Sequence, residues 1–240
     1  MGRVWIHAAV AAVTRFVVDL RVGPRTLQMA AELVASVAMA CGDHLPLLLI
    51  DNHLPYPAAI LQVWGEILHD RRRKGHGPRK HPRLKPPCGL LAAVVEKVRD
   101  TSLRVIRVRA RRLFGRLKDV RRRLRRLKIG KEVNTAHVER LNGTMRCQQG
   151  RLARRTRKPS RLAAALQWSL WLWRDLYNWT REHGSLLGQS PAMALGLAQQ
   201  LWSVRQYALY PVHVDDLQQD IWAEQRQEWL TSALVWQRYF

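Results

Sequence analysis

A run of apolar residues from Leu45 to Ile50 constrains the fold of this chain more than any other segment. An uninterrupted run of this length is typical of a strand that is buried on both faces. A helical pattern precedes it, with Thr26 as the predicted N-cap, and another helix is expected over Pro55–Leu68. This alternation predicts an α/β fold with Asp51 at the carboxyl end of the buried strand, where open α/β sheets bind ligands.

Two pairs of β-rich runs flank this unit. Val4–Val13 and Phe16–Val22 predict an antiparallel pair, and Leu90–Val98 with Leu103–Arg109 predicts a second hairpin. The first run loosely resembles a signal peptide, but His7 interrupts its apolar part, which favours the hairpin.

The remaining segments alternate between helical patterns and loops. Asp70–Pro87 is rich in Arg, Lys, Gly and Pro and predicts a basic loop over residues 70–87. One later helix is rich in Trp, a pattern found more often in a core than in a base-stacking platform. The later helices are expected over Arg116–Lys128, from Asn134 or Thr135 to about Arg157, over Leu162–Glu182, and from Ser190 onward.

The charge is concentrated in the middle of the chain. Arg71 to Arg161 contains 32 Lys and Arg against 5 Asp and Glu, whereas the rest contains 9 against 13. The net charge of +23 is therefore local, and it points to nucleic acid or, less often, to an anionic membrane surface. The alternative is a charged face that only keeps the protein soluble.

One carboxylate, Glu139, lies inside this basic segment, on a predicted helix face with Asn142, Gly143, Arg146 and Gly150. A carboxylate in a polyanion-binding surface is costly unless it binds a cation, and a divalent metal acting on a phosphodiester is the natural candidate.

Asp51 and Glu139 are expected to meet within about 8 Å and to hold Mg²⁺ or Mn²⁺, because two-metal chemistry needs carboxylates from different elements at one point. The alternatives are that Asp51 is a turn residue or helix cap, and that Glu139 complements the helix dipole and pairs with Arg140 or Arg146.

The cysteines and the hydropathy indicate the cellular compartment of the protein. Cys41, Cys88 and Cys147 are odd in number and widely spaced, which favours free thiols in a reducing cytoplasm over a structural zinc site. Charged residues break every apolar stretch well before the roughly 20 residues of a membrane span. We therefore expect a cytoplasmic protein without a membrane partner.

Several ordered segments of the chain, over roughly residues 3 to 210, resemble the insertion-sequence 1 type bacterial transposases. The motif around Val138–Asn142 is the specific part of this resemblance, since it looks like the helix that carries the catalytic Glu of that family. The matching segments are Gly23–Thr26; Asp51–His53 with Tyr56, Ala59–Leu61 and Gly65; Asn134–Thr135, Val138–Asn142, Arg146, Arg151–Leu152 and Arg154–Thr156; and Tyr177–Asn178, His183, Ser185–Leu186 and Ser190–Ala194.

The resemblance implies an RNase H-like catalytic core over residues 1–158, with an incomplete sheet, followed by a C-terminal helical region over residues 159–240. It implies a DNA transposase that cuts and joins transposon ends by two-metal phosphoryl transfer and forms a homo-oligomer on DNA. Asp51 and Glu139 would be the catalytic metal ligands. The residues expected to hold DNA phosphates are Arg140, Asn142, Arg146, Arg151, Arg154 and Arg155.

The chain departs from the family pattern at its start. The family's first catalytic Asp lies on a first strand in an Asp-Glu-x-Trp-like segment, whereas this chain begins at what corresponds to the second strand. Asp19 lies in the wrong strand to replace it. We therefore expect an N-terminally truncated transposase that does not cleave or join DNA alone. The alternatives are a catalytically dead nucleic-acid-binding remnant, which inhibits an intact transposase, and a basic RNA-binding protein.

Overall fold

The chain folds into a mixed α/β structure, which confirms the broad fold class expected from the sequence. A computed structural model describes residues 4–68, 83–102, 104–153, 156 and 159–210. The strands are β1 (Trp5–Val10), β2 (Val17–Gly23), β3 (Leu47–Asp51), β4 (Glu66–Leu68), β5 (Arg83–Lys85), β6 (Leu91–Arg99) and β7 (Val105–Phe114). The helices are α1 (Leu27–Cys41), α2 (Pro55–Trp64), α3 (Leu117–Arg126), α4 (Ala136–Gln148), α5 (Ala163–Trp179), α6 (Pro191–Ala194) and α7 (Val204–Ala208).

The described strands form three separate sheets. β1 and β2 make the antiparallel hairpin predicted from the sequence, and β4 pairs antiparallel with β5. β3 runs parallel to β6, which pairs antiparallel with β7. Within the described part of the chain, one edge of β1 and one edge of β3 have no strand partner.

The β1–β2 hairpin is packed between helices. Val17 and Leu20 of β2 are fully buried and share a core with Leu141 and Met145 of α4 and with Leu170 of α5. Helix α1 packs against β1 and β2 as well. Helix α5, which begins beyond residue 158, therefore shares its core with the first hairpin.

The β3–β6–β7 sheet has two covered faces. Leu48 and Ile50 pack against the cluster of α1 and α2. Leu47 and Leu49, on the opposite face, pack against the cluster that contains Val120 of α3. Both faces of β3 are therefore in contact with helices, but Leu47 to Ile50 are only half-buried, less than the predicted strand buried on both faces.

Two predicted helix starts are confirmed by their capping bonds. The Thr26 side chain accepts a hydrogen bond from the Met29 amide at the start of α1. The Ser190 side chain accepts one from the Met193 amide, with Pro191 in the first turn of α6. Ser, Thr and Pro are favoured there because the first amides of a helix have no partner within it.

Several predicted bounds are wrong. Helix α2 ends at Trp64, not at Leu68, because the chain is extended at Gly65 and continues into β4. Helix α4 ends at Gln148, not near Arg157, and a short 3-10 turn follows. Gly150 belongs to this turn, so it does not share the α4 face with Glu139.

Some predictions concern segments outside the described residues. Of the predicted basic loop at 70–87, residues 83–85 form β5, and residues 70–82 lie outside the description, as does the part of the predicted C-terminal helical region beyond residue 210. No helix among the described residues is long and apolar enough to cross a membrane.

Candidate nucleic-acid interface and acidic edge

Asp51 is the last residue of β3 and is exposed. It lies in register with Val95 of β6. Side chains alternate along a strand, so Asp51 belongs to the sheet face that carries Leu47 and Leu49. No hydrogen bond or ion pair joins the Asp51 carboxylate to another described residue. Asp51 therefore lies at the carboxyl end of a parallel strand pair, as the sequence predicts, with no partner for its carboxylate among the residues that the structure describes.

Glu139 lies in the first turn of α4 and is also exposed. Its Oε1 atom accepts hydrogen bonds from Lys97 Nζ on β6 and, at 2.7 Å, from Thr135 Oγ1. These two donors hold the pKa of Glu139 below its usual value. The sequence suggested Arg140 or Arg146 as the partner of Glu139, but the structure assigns that role to Lys97.

The register of β3 and β6 shows where Asp51 lies relative to Lys97, the partner of Glu139. Lys97 is two residues beyond Val95, so Asp51 and Lys97 lie on the same sheet face with Cα atoms roughly 8 Å apart. Asp51 and the Lys97–Glu139 pair therefore lie at the same edge of the sheet. The meeting of the two carboxylates stays a prediction. Among the described residues, no three His, Cys, Asp or Glu side chains form a group that could hold a metal ion.

Two buried histidines lie close to Asp51. His7 of β1 and His53 each expose only 6% of their surface, and their ring centroids are 5.6 Å apart. The Arg25 guanidinium donates to His53 Nδ1 at 3.0 Å. Burial and the Arg25 charge lower the pKa of both histidines, while Asp51 opposes this shift. Burial and the Asp51 charge raise the pKa of Tyr56.

Asp19 has a different environment, since it is 3% exposed and fully hydrogen-bonded. Its carboxylate accepts from Arg21 Nε at 2.6 Å, Ser36 Oγ at 2.7 Å and Trp171 Nε1 at 3.3 Å. Arg174 Nη1 lies 3.6 Å away. The network ties β2 to α1 and α5, so Asp19 is a structural residue.

The basic surface lies on β7 and α3. Helix α3 buries Val120 and Leu124 against the sheet and exposes its cations. We call the exposed cations of these two elements the basic face. Its members are Arg107, Arg109, Arg111, Arg112, Lys118, Arg121, Arg122, Arg123, Arg125 and Arg126. By the strand register, Arg107, Arg109 and Arg111 lie on the side of the sheet that carries Glu96, whereas α3 packs on the other side.

Acidic residues neutralise part of the basic face. Glu96 pairs with Arg109 and Arg111 across β6 and β7, with N–O distances of 3.3 and 2.6 Å. On α3, Arg121 reaches Glu132 and Arg122 reaches Asp119. No acidic partner among the described residues reaches the other three arginines of α3, namely Arg123, Arg125 and Arg126. The face therefore retains a surplus of free positive charge.

The predicted phosphate-binding residues are placed as follows. Arg140 and Arg146 are exposed on α4, and Asn142 is half-buried. Arg151 is exposed and donates to Ser160 Oγ at 3.1 Å. A methyl group at Gly143 would meet nothing within 4 Å, so packing in this chain does not require glycine there. Arg154 and Arg155 lie outside the described residues.

Sequence reasoning assigned no site role to Arg15, Arg25, Lys97, Arg181 and His183, although Arg25 and His183 fall in segments that carry the family resemblance. Lys97 is the partner of Glu139, and Arg25 binds one of the buried histidines near Asp51. The others belong to a cationic cluster at the hairpin turn. Their segments carry no charge pattern, so only the tertiary structure shows that they converge.

The cysteines are all free, with Cys88 and Cys147 exposed and Cys41 half-buried. Burial raises the pKa of the Cys41 thiol.

Comparison with known proteins adds no family assignment, because no family model, no curated protein and no solved structure matches this chain.

Proposed function

We propose that this chain binds DNA through its basic face, as part of a transposase of the insertion-sequence 1 type. The observation that carries the proposal is helix α3, which buries its apolar residues and directs six cations to solvent. Three of these, Arg123, Arg125 and Arg126, have no acidic partner among the described residues.

The arrangement favours a polyanion over a face that only solubilises the protein. Mixed-sign charges suffice for solubility, but this face keeps a large surplus of positive charge after its ion pairs are counted. Each phosphate that a Lys or Arg neutralises releases counterions, which supplies most of the free energy of non-specific DNA binding. The β7 cations also have a structural explanation, because charges on an edge strand discourage pairing with a strand of another chain.

Asp51 and Glu139 fit the coordination chemistry of Mg²⁺ or Mn²⁺. Mg²⁺ is commonly bound by one or two carboxylates together with water and substrate phosphates, and both side chains are exposed oxygen donors at one sheet edge. Bound there, two metal ions would supply Lewis-acid stabilisation to the attacking and leaving oxygens of a phosphodiester. Lys97 would have to leave Glu139 first. An RNase H-like core is part of the same proposal.

A second candidate function is DNA binding without catalysis. Lys97 neutralises Glu139, and Asp19 is occupied by its own donors. Among the described residues, Asp51 and Glu139 are thus the two acids available to a metal at this edge. The family resemblance implies three. A chain in this state would bind DNA and could inhibit an intact transposase by occupying its sites.

The binding proposal is tested with the variant R123Q/R125Q/R126Q. We expect its affinity for a labelled DNA duplex, measured by fluorescence anisotropy at low salt, to fall at least tenfold. The matched control is R205Q, since Arg205 is an exposed arginine in the last turn of α7, outside the basic segment. Equal affinity of the wild type and the triple variant would refute the basic face as the DNA site.

Strand transfer with Mg²⁺ or Mn²⁺ separates the two candidate functions. The chain and the variant E139Q are compared on the same DNA. We expect no product from the chain alone. Product from the unmodified chain that disappears in E139Q would establish catalysis and would show that another carboxylate completes the site.

A further inference from the structure

Cationic side chains from three segments converge at the turn of the β1–β2 hairpin. Arg15 lies in this turn, and its Nη1 atom is 2.5 Å from His137 Nδ1 at the start of α4. Its Nε atom donates to Ser185 Oγ at 3.5 Å, which brings in the segment that follows α5.

Two more cations surround Arg15. Burial and then the charge of Arg140 lower the pKa of the Arg15 guanidinium. Arg181 and Arg15 both lower the pKa of His183, after the larger effect of burial. The Arg181 guanidinium lies 5.7 Å from the ring centroid of Tyr177, and the His183 ring lies 4.7 Å from the same ring. Positive charges are thus packed together around one tyrosine.

Negative charge is missing from the described part of this cluster. No ion pair joins Arg15, Arg140 or Arg181 to an acidic side chain in the described part of the chain. Arg181 Nη1 and His183 Nε2 are buried without any hydrogen-bond partner among the described residues. Buried polar atoms are nearly always satisfied in native proteins, so two unsatisfied nitrogens in one cationic cluster point to a missing partner.

The backbone supports the same conclusion. Arg15 has φ of 61°, a left-handed conformation that is uncommon for a residue other than glycine. Such strained positions concentrate at ligand sites. The amino end of α4, which carries His137, adds the positive end of a helix dipole.

We propose that Arg15, His137, Arg140, Arg181 and His183 form a binding site for a phosphate group, supplied either by a nucleic-acid backbone or by free phosphate. Arginine suits this ligand because its planar guanidinium can donate two parallel hydrogen bonds to phosphate oxygens. The site goes beyond the proposed function, since it uses side chains outside the basic face.

The first test titrates inorganic phosphate into the unmodified protein and follows its thermal unfolding. A ligand that binds the native state raises Tm as its concentration increases. We expect phosphate to raise Tm more than sodium chloride at the same ionic strength, and R15Q/R181Q to lose the difference, whereas R205Q keeps it. An equal effect of phosphate and chloride on the unmodified protein would overturn the site, without any need for a variant to fold.

The second test identifies the source of the phosphate. If a DNA backbone occupies the site, R15Q/R181Q lowers the slope of log affinity against log salt by about 0.9 for each lost phosphate contact. If free phosphate is the ligand, the Tm effect is lost while this slope is unchanged. The variant R123Q/R125Q/R126Q should keep the phosphate effect on Tm. The proposal that the basic face binds DNA and the proposal of this phosphate site can therefore fail independently, each with its own result.

Discussion

The Asp19 network and the basic face use charge in opposite ways. Around Asp19, charges are buried and paired, and they connect β2 with α1 and α5. On β7 and α3, cations are exposed, and several have no acidic partner among the described residues. The first arrangement stabilises the fold, because buried charges are tolerated only when they are satisfied. The second adds little stability, because exposed charges are screened by water.

The difference shows which acidic residues can be functional. Asp19 has the acidic chemistry of a metal ligand, but its oxygens already accept hydrogen bonds. Asp51 and Glu139 are exposed at a sheet edge, where a cation or a phosphate-bound metal can reach them. Solvent accessibility therefore distinguishes the carboxylates that a metal can reach from the one that it cannot, although the sequence composition shows no difference between them.

The largest effect is expected from D19N. Removing one partner of a buried charge network costs about 3–5 kcal/mol of unfolding free energy, because the remaining charges are left buried and unpaired. Urea denaturation measures this loss. The control D43N changes an exposed Asp and should stay within about 0.5 kcal/mol of the wild type. Equal stability of the two variants would contradict a structural role for Asp19.

A smaller effect is expected from acidification. His53 has a lowered pKa in the folded protein, mainly because it is buried, so the unfolded chain binds protons more readily. The stability that this histidine contributes is complete above its ordinary pKa of 6.5 and is lost as the pH falls below it. The variant H53Q should show a flatter decline of Tm between pH 7 and pH 5. An unchanged decline would show that other groups cause it.

The variant G143A should separate helix stability from DNA contact. Alanine stabilises a helix interior by roughly 0.5–1 kcal/mol over glycine, and a methyl group at this position would have no atom from outside the local helix backbone within 4 Å. We expect unfolding to become harder while DNA affinity, measured by anisotropy, decreases. If stability and affinity rise together, DNA does not approach this part of α4 closely.

The smallest effect on stability is expected from R123Q/R125Q/R126Q. These side chains are exposed and have no acidic partner among the described residues, so the free energy of unfolding should change by no more than about 0.5 kcal/mol. Urea denaturation, run beside the DNA titration, checks this. A loss as large as that of D19N would mean that the basic face is structural.

Much of the fold follows from local sequence. The apolar run of β3, the hairpin β1–β2 and the capping residues Thr26 and Ser190 identify their elements because each depends on neighbouring residues. The short pair β4–β5 was not predicted, because its strands are three residues long and joined across a long connection.

The candidate site depends on contacts that sequence patterns do not encode. Asp51 and Glu139 can be proposed from position and from the family resemblance, but their environment cannot. Lys97 reaches Glu139 across 42 residues of sequence, and Arg15 reaches His137 across 122. Such contacts join residues far apart in the chain, where neither periodicity nor spacing carries a signal.

The salt dependence of DNA binding tests the central claim most directly. Affinity for a DNA duplex is measured between about 50 and 200 mM salt for the wild type and for R123Q/R125Q/R126Q. If the basic face contacts 6–10 phosphates, wild-type affinity should fall by about 10³–10⁵ over this range, and the triple variant should show a shallower slope. A flat wild-type response, or the same slope in both proteins, would contradict the assignment of the basic face as the nucleic-acid interface.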